Sequence, residues 1–245
     1  MSDIAYNAGL VAAASGAMSR LRGLDIITNN LANSNTPGFK RDVPGFDAAL
    51  VRAQQGGTEV TTARLQRVNQ DRSPGEAKKT GNPLDVAIMG RGFFQVQDPA
   101  TGQSFYTRQG NLARSADGTL VTATGKPVVG DGGPITLPAG SQIEIHSDGS
   151  VLANGQPVGQ LRLFDIPDDV ALNRVGEGLL AAPSGVQPEP VAEPRLMQGW
   201  LEQANVETLR EMARMVTYER EFESYQKLIK AYGQLAGKAA EIGAF

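Results

Sequence analysis

Histidine is the side chain most often recruited for proton transfer near neutral pH, and this chain carries one, His146, in a β-like run just before the turn Ser147-Asp148-Gly149. A lone imidazole excludes a multi-histidine metal site, and its place in a strand fits an ordinary strand residue better than a member of a catalytic triad. Cysteine is absent, which removes disulfides, thiolate ligands and a thiol nucleophile. Neither a Gly-x-Ser-x-Gly elbow nor a Walker phosphate loop occurs. Gly90-Arg91-Gly92 has the look of a phosphate cradle, yet it runs into Phe93-Phe94 in a strand and opens no helix whose amino end would complete such a site. A tight turn or bulge fits better. The adjacent acids Asp168-Asp169 follow Pro167, the setting of a solvated turn. Carboxylates distant in sequence that meet in space, as in glycosidases, stay open at this level. No enzyme, metal or cofactor is expected from these residues.

The elements that hold them fall into three kinds of pattern. Across 245 residues, 40% are apolar and 20% charged, a composition that folds. A formal charge of -3 and a pI near 5.3 provide no basic excess, so no nucleic-acid partner is expected. No window nears the roughly 20 apolar residues of a membrane span, so no direct membrane insertion is expected. Leu10 to Ala17 faintly resembles a leader core, but Asp3 stands where a basic start is needed and Arg20 and Arg22 follow closely. The stretch reads as mature helix, and any export is expected to use a route without a cleaved leader.

The first 33 residues contain no proline, and Leu10, Ala14, Ala17, Leu21, Leu24, Thr28 and Leu31 recur in steps of four and three. That is a heptad seam. A second line, Ile4, Val11 and Met18, widens the apolar surface beyond what one partner helix needs. The helix is expected to stop at Asn33 to Gly38, where Thr36-Pro37-Gly38 reads as a turn. Residues 39–80 lose period apart from a patch at Phe46, Leu50 and Val51, and predict an extended or partly mobile connector with room for short strands. From Asn82 to about Pro183, turn pairs such as Thr101-Gly102, Asp117-Gly118, Asp148-Gly149 and Asn154-Gly155 separate short β-rich runs. The best strands are Phe93 to Val96, Ser104 to Thr107, Thr119 to Thr122, Val128-Val129, Gln142 to Ile145 and Gln160 to Phe164, an antiparallel β domain of hairpins. Pro183, Pro188, Pro190 and Pro194 lead out of it in extended form. After Asn205, a candidate helix cap, no proline occurs, and Met215, Tyr218, Phe222, Tyr225, Ile229, Tyr232, Ala236 and Ala239 form a second heptad seam. Its bulky residues can fill the space left by the small ones in the first.

Three blocks of sequence carry a resemblance. NNLANSNTPGFK, Asn29 to Lys40, closely resembles the signature that follows the first helix in bacterial flagellar rod and hook proteins. GNPLDVAIMGRGFFQVQ, Gly81 to Gln97, followed by Phe105-Tyr106-Thr107-Arg108, is similar to a second block of that family, and QGWLEQANV, Gln198 to Val206, to a third. Trp200 and Gln203-Ala204 depart from the smaller or serine-bearing residues of that third pattern. The compact length and Arg220-Glu221-Phe222-Glu223 resemble a proximal-rod subunit, with a distal-rod subunit next; a hook protein is disfavoured because it carries an additional outer domain.

The resemblance implies an α+β fold: N- and C-terminal helices packed as an antiparallel coiled coil, and a central antiparallel β domain made of hairpins. The expected segments are 1–35 and 196–245 for the helical domain, 36–80 for the connector and 81–195 for the β domain. It also implies a structural role in the rod that crosses the periplasm and carries torque, with other rod proteins and copies of the chain as partners and the flagellar type III apparatus as export route. Assembly contacts are expected at Leu10, Ala14, Ala17, Leu21, Leu24, Asn29, Asn30, Leu31 and Asn33 on one side and Met215, Tyr218, Phe222, Tyr225, Ile229 and Tyr232 on the other. Two other classes compete: a secreted binding module trimerised by its terminal helices, and a wall hydrolase. A trimeric stalk favours continuous Ile or Leu seams, which the small and aromatic seams here are not.

Overall fold

The computed structural model describes residues 2–52 and 59–242, with side chains described over 9–45, 68–235 and 237–238. The chain divides into two compact units, one of Met1–Ala32, Asp42–Asn69 and Glu207–Phe245, the other of Asn33–Arg41 and Gln70–Val206.

In the first unit two long helices, α1 (Ser2–Ala32) and α2 (Thr208–Ile242), pack against each other in antiparallel sense. Beside them, Asp42–Arg52 and Glu59–Gln70 form a two-stranded sheet in the region read as connector. The expected apolar patch at Phe46, Leu50 and Val51 lies outside the described side chains, as do Ile4, Ala236 and Ala239.

The second unit starts where α1 stops. Asn33 offers its carbonyl to the Thr36 amide at 3.0 Å, and Gly38 takes φ +68°. Glycine enters that left-handed region at little cost, and here it is required twice over, because a Cβ at Gly38 would run into the backbone of Arg108 and Gln109. The largest sheet runs in the order Asn173–Gly176, Leu179–Ala181, Ser104–Thr107, Phe93–Gln97, Leu163–Asp165, Glu189–Pro190. Its pairings are antiparallel. Phe93–Gln97 lies inside the sheet and is buried on both faces: Phe94 and Val96 join the main core with Leu120, Leu161 and Leu163, while Phe93 joins Tyr106, Ile166 and Leu180 on the other side. Alternation of side chains along a strand produces this split.

The fold class is the one the sequence pattern and the resemblance implied. The expected run Gln160 to Phe164 is divided between Gln156–Gln160 and Leu163–Asp165, with the Leu161 amide drawn aside to the Gly149 carbonyl at 2.7 Å. Among the pairings with no counterpart in the sequence reading are Ala77–Lys79 with Trp200–Glu202, and Val86–Ile88 with Leu196–Gln198. In the first of these Trp200, half-buried, lies opposite Lys79. The exit rich in proline contributes Glu189–Pro190 to the sheet edge, where a residue without an N–H is tolerated.

Candidate functional site: an assembly seam and its anchor

The two helices meet through a repeat the apolar pattern hides. Gly9, Gly16 and Gly23 are seven apart, as are Tyr218, Tyr225 and Tyr232, and the rings lie on the glycines in antiparallel order. A Cβ placed on Gly9 would stand 2.5 Å from Tyr232 Oη, one on Gly16 2.5 Å from Tyr225 Cζ, and one on Gly23 2.6 Å from Tyr218 Cδ1. No side chain fits between ring and backbone, so the glycines set how closely the helices approach. The Arg20 guanidinium sits 5.3 Å from the Tyr218 ring centre, and its Nε is 2.8 Å from a Glu221 carboxylate oxygen.

This contact line is displaced by one residue from the line Leu10 to Leu31 read in the sequence. Ala13 and Ile27 are 5% and 2% exposed, whereas Leu21 of the expected seam is 48% exposed. Ala17 is buried, Leu10, Ala14, Leu24 and Leu31 are half-buried, and Thr28 is exposed. Glycine offers no apolar side chain to count, yet its missing Cβ makes the groove. On α2, Met215, Tyr218, Phe222, Tyr225, Ile229 and Tyr232 are all half-buried. Val11 and Met18 on α1, with Leu209, Met212, Val216, Leu228 and Leu235 on α2, stay exposed on the other faces.

Of the signature asparagines, Asn30 is fully buried and pairs with a backbone as a strand would: its Nδ2 donates to the Asp42 carbonyl and its Oδ1 accepts from the Asp42 amide, both at 2.8 Å. Asn29 is exposed and Asn33 half-buried. Losing a buried hydrogen-bond partner costs ~1–3 kcal/mol. Asn30→Ala should therefore speed hydrogen exchange at the Asp42 amide on the order of 30-fold, about 2 kcal/mol of local protection. An unchanged exchange rate would show that the clamp holds nothing.

The second unit contains the anchor, and sequence reasoning missed it. Lys40 ends the first signature block, Arg108 ends Phe105-Tyr106-Thr107-Arg108, and Glu202 lies in the third block, so all three family-like blocks converge on one ion cluster. Lys40 Nζ lies 2.5 Å from Glu202 Oε1 and 2.6 Å from the Ser73 carbonyl, while Arg108 Nη1 donates to Glu202 Oε2 at 3.1 Å. These side chains are only 2–5% exposed. The Gly75 amide adds a donor to Glu202 at 2.9 Å, and Arg108 Nη2 donates to the Gly90 carbonyl at 2.5 Å. Asn205, read as a helix cap, instead accepts the Arg41 amide at 2.7 Å and donates to the Asp71 carbonyl at 2.8 Å. The signal open to sequence reading was that Lys40, Arg108 and Glu202 each stand inside a family-like block.

Burial pulls the Lys40 ammonium below its ordinary 10.5, and the Glu202 carboxylate beside it opposes that pull. Between the lowered value and 10.5 the unfolded chain binds the extra proton, so stability rises with pH across that window. The stability of the parent relative to Lys40→Met is expected to increase as pH climbs towards 10.5, followed by urea titration at each pH. A difference flat with pH would refute the assignment.

The residues first weighed for chemistry are otherwise occupied. His146 is exposed and its backbone closes the turn to Ser150. Arg91 faces Asp165 at 3.0 Å and Asp168 at 3.3 Å. Those acids and Glu202 line a cleft of about 760 Å³. Among the described residues no group of acids and histidines is placed to hold a metal ion, and no helix is long and apolar enough to cross a membrane.

Comparison with known proteins agrees with this geometry. Residues 10–40 match the family described as flagella basal body rod protein, residues 87–153 the flagellar hook protein FlgE/F/G D1 domain, and residues 197–242 the flagellar basal body rod FlgEFG protein C-terminal region. The chain is 34% identical to the flagellar basal-body rod protein FlgF of Caulobacter vibrioides, over 91% of this chain and 93% of that one. It is also 34% identical to FlgF of Salmonella typhimurium, over 94% and 96%. Its identity with FlgG of Agrobacterium fabrum is 30%, over 93% and 96%. A glycine-tyrosine helix pair, a hairpin-built β unit and likeness along nearly the whole length point one way: the chain belongs to the flagellar basal-body rod protein family.

Proposed function

We propose that this structural subunit of the flagellar basal-body rod works in its proximal part, as a rigid element of the shaft that carries motor torque towards the hook. The observation that carries the reading is the helix pair: α1 and α2 satisfy each other along one line and leave Val11, Met18 and Leu21 on α1 and Leu209, Met212 and Val216 on α2 exposed. Apolar side chains left bare on two long helices fit burial against further subunits. Contacts that repeat without closing into a ring build a helical shaft. The partners are then copies of the chain and other rod proteins, and the place is the basal-body rod, reached through the flagellar export apparatus. The assembly residues are then Val11, Met18 and Leu21 on α1 with Leu209, Met212 and Val216 on α2, while the tyrosines of the second expected seam are engaged within the chain.

A non-enzymatic role is supported by the ion pairing of Asp168, one of the two candidate acids, and of its neighbour Asp165. Asp165 and Asp168 are both engaged by Arg91, and Arg72 lies 3.5 Å from Asp168.

Identity reaches 34% with FlgF proteins and 33% with FlgG proteins, a narrow margin that leans towards the proximal rod. Expression in motile bacteria lacking either protein tests the choice. Swimming should return in the strain without FlgF and not in the strain without FlgG. The same chain with Met18→Glu and Leu21→Glu should fold and fail to restore swimming. Rescue of the FlgG-deficient strain alone would establish the distal reading instead.

A further inference from the structure

A seam with a strict repeat of seven is degenerate. Sliding α2 by one heptad in one direction moves Tyr225 and Tyr232 onto Gly23 and Gly16; sliding it the other way moves Tyr218 and Tyr225 onto Gly16 and Gly9. Either slip keeps two of the three ring-on-glycine contacts, so the tyrosines alone discriminate poorly among three registers. The charged residues beside them do not repeat. Arg20 faces Glu221 across the helices at 2.8 Å. In the first slipped register Arg20 meets Leu228 and the Glu221 carboxylate comes to Ile27; in the second Arg20 meets Arg214 and Glu221 comes to Ala13. Ile27 and Ala13 are buried.

We propose that Arg20 and Glu221 are the register key of the helix pair. Attraction between two partly exposed charges is weak, so selection comes mainly from what the slipped registers impose: a carboxylate pressed against buried hydrocarbon, or two guanidinium groups face to face. The ion pair positions α2 by making its neighbours wrong.

The test relocates the key. Glu221→Leu with Leu228→Glu preserves composition and sets the carboxylate opposite Arg20 only after a one-heptad slip. The chain has no native cysteine, so spin labels on Leu21→Cys and Gln234→Cys, both exposed positions, report the register by pulsed electron resonance on the full chain. The parent should give one distance. In the relocated variant the axial separation should shorten by ~10 Å, seven residues at 1.5 Å each. Glu221→Gln alone should populate both distances. A relocated variant that keeps the parent distance, or loses its helical circular dichroism, overturns the proposal; so does a parent that already shows several distances. A purely stabilising ion pair would lower the melting temperature of these variants without moving the labels.

Discussion

Replacing Glu202 with alanine should lower the stability of the β-rich unit by about 3–5 kcal/mol, read as a fall in its urea midpoint. The reason is an imbalance of charge. Lys40 and Arg108 are 2% and 5% exposed, and Glu202 is the anion both touch. Without it two cations stay buried with backbone carbonyls, the Phe93 ring beside Arg108 and the more distant Asp71 to answer them, and the loss is a large fraction of the ~5–15 kcal/mol that holds a typical domain folded. Glu202→Gln keeps an acceptor while removing the charge, so its midpoint should fall between parent and Glu202→Ala. Adding Lys40→Met to Glu202→Ala should recover part of the loss, because one of the stranded cations is then gone. A Glu202→Ala chain within about 0.5 kcal/mol of the parent would mean water reaches the cluster freely, against the burial observed.

The triple change Gly9→Ala, Gly16→Ala and Gly23→Ala should separate the helices and abolish swimming. Two effects oppose each other here. Alanine in place of glycine favours an isolated helix by ~1 kcal/mol per site, while forcing a methyl group under a packed ring costs ~1–3 kcal/mol. The second wins if the tyrosines cannot swing aside, and three contacts on one line leave them little room. We expect a net loss of roughly 3 kcal/mol across the seam, seen as a lower melting temperature by far-ultraviolet circular dichroism. A higher melting temperature would mean that helix propensity governs and that the rings are loosely held.

Much of the fold was legible in the sequence because it depends on local signals. Proline-free heptads marked both helices, and the turn glycines took the positive φ values that hairpins need, as at Gly118 and Gly149 with φ +91° each. The pairings of Ala77–Lys79 and Val86–Ile88 were not legible, since three-residue strands whose partners lie more than a hundred positions away leave no period to detect. The seam on α2 was read from bulky side chains that advertise themselves, whereas its counterpart on α1 is written in glycine, where an apolar count finds nothing. The ion cluster was hidden for a related reason. Lys40, Arg108 and Glu202 each resemble ordinary surface charges until the backbone brings 40, 108 and 202 together. The motif positions were visible, but their common destination was not.

Trp200, the single tryptophan, belongs to the β-rich unit, and Tyr218, Tyr225 and Tyr232 to the helical one. The protein therefore carries separate built-in optical probes. Indole emission follows melting around Glu202, two residues along the same strand, while phenol absorbance follows the parting of the helices once Tyr106 of the β-rich unit is replaced by Phe, so the order in which the two come apart can be watched without attaching any dye.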